Sequence, residues 1–232
     1  MLAALRAEYA TDVQRPGLHL SSLIYCLTKA YWNKLDPEPP SEEAVNMWSI
    51  GYALERVMIA RMHVEPIVLD GIHMSPDFVL AGTLADLKST RMQPVKSDGC
   101  AVCGLPWRGH KDMGHSYEAT SRPFDMPIGW QRQFAAYLRA LNLIHGESTH
   151  DFAVVVMHLV PAVLTTWRVW FTDTELEDNW QWVLQRANDF ENMLAAQTSE
   201  PFEHRGFEDE CTHCDYLLRC QLTASLAKES KE

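Results

Sequence analysis

A chain of 232 residues, 47% hydrophobic and 22% charged, is long enough to bury a core and too apolar to be a disordered tail. No apolar run approaches the ~20 residues needed to cross a bilayer, and Met1 to Arg6 lack the charged-then-apolar order of a secretory signal, so a cytoplasmic protein that engages no membrane is expected. The formal charge of −11 excludes a protein that coats itself with nucleic acid by bulk electrostatics.

The charge is unevenly spread. From Lys88 to Arg139 eight basic residues stand against four acidic ones, which leaves −15 on the remainder. One basic region on an acidic body suits a groove for a polyanion. In a reducing compartment the six cysteines are expected as metal ligands and not as disulfides.

In chain order, residues 20–35 read as a helix ended by the run Pro37-Glu38-Pro39-Pro40. Ser41 then caps a long helix to about residue 62. Short extended runs follow at 66–69, 77–80 and 84–88, with Ala81-Gly82-Thr83 as a tight turn. Residues 91–126 carry Gly, Pro, Cys and His with little periodicity and read as an insertion. A helix is predicted at about 128–144, a hairpin from 152–160 and 163–171 around Pro161, and a last long helix from Asp173 to about residue 197, ahead of a Cys-rich tail. The order of elements is that of a mixed α/β domain.

Chemistry gathers on the extended runs. Side chains alternate along a strand, so Asp86 and Lys88 share a face, which Asp77 can reach from the neighbouring strand. Two carboxylates so placed can share a hard divalent cation such as Mg²⁺ or Mn²⁺, and the Lys88 ammonium can stabilise charge on an attacked phosphate. By itself an Asp-x-Lys is frequent, and a surface hairpin with solvated charges reads the same way. Gly51 and Glu55 lie one turn apart on the preceding helix, and Gln133 and Tyr137 one turn apart on the following one. Glu55 is a candidate third metal ligand, while Gln133 and Tyr137 can bond phosphate oxygens or order the lysine.

In this order, Gly51-x-x-x-Glu55, Pro76-Asp77, Asp86-x-Lys88 and Gln133-x-x-x-Tyr137 resemble the RecB-like branch of the PD-(D/E)XK nucleases. The resemblance implies a restriction-endonuclease-like core, a mixed sheet flanked by helices, in a single domain over 1–232. It implies metal ligation by Glu55, Asp77 and Asp86, catalysis by Lys88, and support from Gln133 and Tyr137. Many members carry histidine at the place of Glu55.

Cys26 near one end and Cys211, Cys214 and Cys220 near the other offer four thiolates, a ligand set that suits either a [4Fe–4S] cluster or zinc. The stretches around Cys26 and from Cys211 to Cys220 are similar to the cluster motifs of the CRISPR-associated RecB-like exonucleases and of AddB-type subunits. That likeness implies an iron–sulfur-stapled region over 20–35 and 205–222. Separately, Cys100, Cys103, His110 and His115 are spaced as a small zinc knuckle within the 91–126 insertion, with Arg108 and Lys111 between the ligands placed to touch DNA or a partner.

The expectation is therefore a Mg²⁺- or Mn²⁺-dependent deoxyribonuclease that acts on DNA ends or single strands, 5′→3′ as the resemblance implies, in recombination, repair or CRISPR spacer processing. Without a nucleotide-binding G-x-x-x-x-G-K-[ST] motif, unwinding falls to a helicase partner; a recombinase or a CRISPR integration protein are further partners of that kind. The competing reading is a non-catalytic DNA- or protein-binding module that keeps the nuclease fold. A third is a regulatory protein whose cysteines hold only zinc.

Overall fold

The structure is a computed structural model that describes residues 2–13, 15–58, 64–80, 82–90, 126–159, 162–198 and 205–229. Its centre is a four-stranded mixed sheet in the order β4 (Phe78–Leu80), β5 (Thr83–Thr90), β6 (Asp151–Leu159), β7 (Ala162–Trp170). β5 runs antiparallel to β4 and parallel to β6, and β7 returns antiparallel to β6. The run Phe152 to Val156 is buried throughout, as a central strand covered on both faces requires.

A parallel pair needs a crossover, and helix α5 (Ile128–His145) supplies it between β5 and β6. Its buried face carries Phe134, whose ring stacks on Phe152 of β6 at 4.5 Å between centroids. Gly146, in the left-handed conformation at φ 66°, ends the helix. Helix α6 (Asp173–Ala196) packs on α5 and starts at a capping box, in which Thr172 Oγ1 accepts from the Glu175 N–H while the Glu175 carboxylate accepts from the Thr172 N–H.

The predicted helix over 20–35 is two helices, α2 (Leu20–Ile24) and α3 (Leu27–Leu35). They part at Tyr25 and Cys26, both in extended conformation. The break is stabilised from outside: the buried Arg186 guanidinium of α6 donates to the carbonyls of Leu23 and Tyr25, which the end of α2 leaves without helical partners. Helix α4 (Glu42–Met58) begins where Ser41 Oγ accepts from the Ala44 N–H at 3.1 Å. The expected extension of this helix to about residue 62 falls partly on residues 59–63, outside the described ones.

Two helices and two short strands were not expected from the sequence, while the extended run expected at 66–69 is present as strand β2 (Ile67–Leu69). Helix α1 (Leu2–Val13) packs on α4, with Tyr9 edge-on to Trp48. A small sheet joins β1 (Leu18–His19), β3 (Ile72–Met74) and β2 (Ile67–Leu69), the last two closed by Asp70 and Gly71 at φ 51° and 77°. Both positive angles mark a two-residue hairpin turn, and Asp-Gly is its usual sequence. Helix α7 (Leu217–Glu229) follows a short 3-10 turn at Glu208–His213.

The C-terminal tail clasps α3. Tyr216 Oη donates to Asn33 at 2.7 Å and accepts from the Glu38 N–H at 2.9 Å, while Arg219 pairs with Asp36 at 2.8 Å and lies over the Trp32 ring. At Gly206 the tail passes so close to the end of α2 that a Cβ would come within 2.1 Å of the Ile24 carbonyl oxygen. Only glycine fits there. Among the described residues no helix is long and apolar enough to cross a membrane.

Candidate functional site

The site is built on β5. Asp86 lies in register with Val154 of the parallel neighbour, and Lys88 with Val156, so both project to one face. That face is covered: Asp86 is 1% exposed. The Lys88 ammonium stands 2.7 Å from Asp86 Oδ1, an ion pair whose geometry leaves Oδ1 without an aligned hydrogen bond. Asp77, immediately ahead of β4, accepts from the Leu87 N–H at 2.7 Å and is thereby fixed against the middle of β5.

From Lys88 a directional row of hydrogen bonds crosses to α5. Lys88 Nζ donates to Gln133 Oε1 at 2.9 Å, Gln133 Nε2 to Tyr137 Oη at 2.6 Å, and Tyr137 Oη to the Ser75 carbonyl at 3.1 Å. Ser75 lies two residues before Asp77. One side chain of α5 therefore orients the lysine, and the next anchors the segment that delivers the first carboxylate. Asp77, Asp86, Lys88, Gln133 and Tyr137 are thus brought together across β4, β5 and α5.

Burial dominates the electrostatics. It pushes Asp77 up to about 7, assisted by the Asp86 charge and opposed by the Leu87 N–H and Lys88. Asp86 is raised by burial too, with Lys88 and a hydrogen bond to Asp77 working against the shift. Burial also draws the Lys88 pKa down, but Asp86 and Asp77 outweigh it and hold the ammonium above the ordinary lysine value. The Tyr137 phenol is raised well above its usual value by burial and by Asp86. Two hydrogen-bonded carboxyls that between them retain a proton near neutrality, one with an oxygen lacking an aligned donor, are a donor set that a hard divalent cation would satisfy.

Glu55 sits less tightly. It is exposed on α4, near enough to raise the Asp77 pKa slightly. Gly51, one turn earlier, faces β5, where a Cβ would make an ordinary contact with Ser89 Oγ at 3.4 Å. Among the described residues no three His, Cys, Asp or Glu side chains are arranged to hold a metal ion.

A second group of reactive side chains lies at the helix break. Cys26, Cys211, Cys214 and Cys220 all line one cavity of about 640 Å³, and none is in a disulfide. Glu210 lines the same cavity: one oxygen accepts from the Cys26 N–H at 2.9 Å, the other from the Gly206 N–H at 2.6 Å. Burial pushes the Cys220 thiol up to about 11, and the neighbouring thiols of Cys26, Cys214 and Cys211 add to it. Thiols held neutral in this way become thiolates once a cation is among them. Cys100, Cys103, His110 and His115 lie outside the described residues, as does all of the expected insertion over 91–126 except Met126.

One residue of the site went unmarked in the sequence. Tyr25 lies beside Cys26 on the break, and its phenol is raised by burial, lowered by Lys88 and raised by Asp86. It was hidden because, on a continuous helix over 20–35, it would be one more core aromatic.

No family model matches the chain, and no curated protein is similar to it in sequence. In structure it is similar to SSO0001, at a TM-score of 0.52 and 14% identity over 94% of this chain and 92% of that one. It is also similar to an alkaline exonuclease from Laribacter hongkongensis, at a TM-score of 0.44 and 12% identity over 82% of this chain and 95% of that one. The likeness to SSO0001 extends over nearly the whole chain and is one of fold, so the chemistry must be argued from the side chains.

Proposed function

We propose that the protein is a divalent-metal-dependent deoxyribonuclease of the RecB-like PD-(D/E)XK kind, acting on single strands or DNA ends. The observation that carries this reading is the row Asp86, Lys88, Gln133, Tyr137 and Ser75, which closes back on Asp77. A structural role asks for none of these groups, and burying two carboxylates and an ammonium costs stability.

Asp77 and Asp86, with Glu55 drawn in, would hold Mg²⁺ or Mn²⁺, which lowers the pKa of a bound water and neutralises phosphate charge. The chain's own groups do the rest. Gln133 takes one Lys88 proton in a hydrogen bond and so points the remaining ammonium donors toward the carboxylate face, where a phosphate would meet them. Tyr137 holds the Gln133 amide in the orientation that makes its oxygen the acceptor. With the lysine's charge directed in this way, no reorganisation is needed when charge builds on the phosphorus oxygens. Digestion of 5′- and 3′-labelled single strands in Mn²⁺, silent in EDTA, tests the reading and reports its polarity, for which we favour 5′→3′. Intact DNA under all these conditions would leave the non-catalytic module as the better account.

The four cysteines suit a structural [4Fe–4S] cluster, which would join the broken helix to the C-terminal tail. A small zinc site in the insertion rests on its spacing alone. Anaerobically purified protein is expected to be brown and to contain iron and labile sulfide, and Cys220→Ser should remove most of both and lower the melting temperature. Colourless protein that holds only zinc would overturn the cluster. A helicase, recombinase or CRISPR integration protein is the kind of partner such a nuclease would serve.

A further inference from the structure

Gly129, Gln133 and Tyr137 are spaced four apart and form one stripe along α5. Two of them supply polar groups to the row that holds Lys88. The third has no side chain, and its place is taken from another element. An ideal Cβ on Gly129 would lie 3.0 Å from Tyr25 Cε1 and 3.3 Å from the Tyr25 hydroxyl oxygen. The Tyr25 phenol thus stands where the side chain of residue 129 would be, one turn from Gln133. The stripe presents a hydroxyl, an amide and a second hydroxyl in sequence.

The position of this phenol is fixed at its backbone and at its ring. Arg186 holds the Tyr25 carbonyl, the Cys26 N–H is tied to Glu210, and the ring meets Phe207 edge-on at 5.8 Å. Lys88, Asp86 and Tyr137 each interact electrostatically with the phenol. Unlike Tyr137, it makes no hydrogen bond to another described residue. A preorganised donor at the edge of a catalytic row is placed for a ligand.

We infer that Tyr25 is a substrate-positioning residue, whose hydroxyl donates to a phosphate oxygen of the nucleic-acid strand beside the one that Lys88 meets. Residue 129 lies one helical turn along α5 from Gln133, so the phenol that fills its place stands further along the same stripe than the amide that orients Lys88. Because Tyr25 adjoins Cys26, the cysteine site sets where this donor stands. Glycine at 129 leaves room for the phenol.

The inference rests on the nuclease reading but is tested apart from it. Binding of a fluorescent single-stranded oligonucleotide is measured in EDTA, where no cleavage occurs, for the wild type, Asp86→Ala and Tyr25→Phe. Tyr25→Phe is expected to weaken binding about tenfold, the loss of one hydrogen bond to an anion, and to raise KM similarly with kcat within about twofold. Asp86→Ala should bind at least as tightly as wild type and not cleave. Equal affinity of Tyr25→Phe and wild type overturns the inference even where wild type digests DNA. Weaker binding by the variant, with a wild type that never cleaves, supports the donor and sinks the nuclease instead. A wild type that does not bind overturns both. Should Tyr25→Phe not fold, Gly129→Ala, which crowds the phenol from its place, decides by the same measurement.

Discussion

Asp86→Ala is expected to reduce DNA cleavage in Mn²⁺ by a factor of about 1,000 or more, with the fold intact. The residue is buried to 1% exposure, hydrogen-bonds Asp77 and pairs with Lys88, so its loss removes the counter-charge that holds the lysine and, on the proposed reading, a metal ligand. Lys88→Ala should cost about 100- to 1,000-fold, the usual effect of deleting one preorganised charge at a reacting centre. It leaves both carboxyls in place, and in EDTA they answer by keeping their shared proton. Gln133→Ala should cost only about tenfold, since Lys88 keeps its partner Asp86 at 2.7 Å and loses direction, not charge. The order of the three effects follows from the direction of the hydrogen-bond row. Equal digestion by all three variants and wild type would remove the catalytic assignment.

The site was legible before the structure because its parts obey two simple periods. Asp86 and Lys88 follow the two-residue alternation of a strand, and Gln133 and Tyr137 the four-residue step of a helix, so each pair shares a face whatever surrounds it. What no local period conveys is contact between elements. That Tyr137 reaches the Ser75 carbonyl, and that Asp77 is fixed by the Leu87 N–H, depends on how α5 crosses between β5 and β6. The helix break at Tyr25 and Cys26 was hidden for the same reason. Residues 20–35 keep helical composition throughout, and the interruption is stabilised by Arg186 from 161 residues away along the chain. The hairpin of β2 and β3 is a different case. Its first strand was expected at 66–69 and its Asp70-Gly71 turn is a strong local signal, but the three-residue second strand is too short to show alternation. The start of α4 and the crossover helix were placed within a residue or two, because a Ser41 cap marks the first and the glycine at 146 ends the second.

Asp77→Asn is expected to abolish cleavage and yet to stabilise the metal-free protein at neutral and higher pH. The Asp77 carboxyl sits at about 7 in the folded chain against 3.8 ordinarily, so between those values the folded state keeps a proton that the unfolded state has lost. A group raised in this sense contributes its stability at low pH and loses it as pH climbs from about 4 through about 7. In EDTA the wild type should therefore lose ground across that window for this reason, while an asparagine there has nothing to titrate and can still accept from the Leu87 N–H. The gap in favour of the variant should widen from pH 5 to pH 8 by on the order of 2 kcal/mol, allowing for a proton shared with Asp86. In melting temperature this is roughly 5 °C for a chain of this size. Mn²⁺ should reverse the order, because it takes the proton's place in the wild type and finds one carboxylate fewer in the variant. Binding of the ion itself should tighten with pH up to about 7 and then level off, since below that value it must displace a proton. A gap that stays constant with pH in EDTA would mean that the carboxyls are already ionised without metal. On the proposed reading, a site that holds its charge in reserve until a cation arrives would account for two buried aspartates beside a lysine in a chain that gains no stability from them.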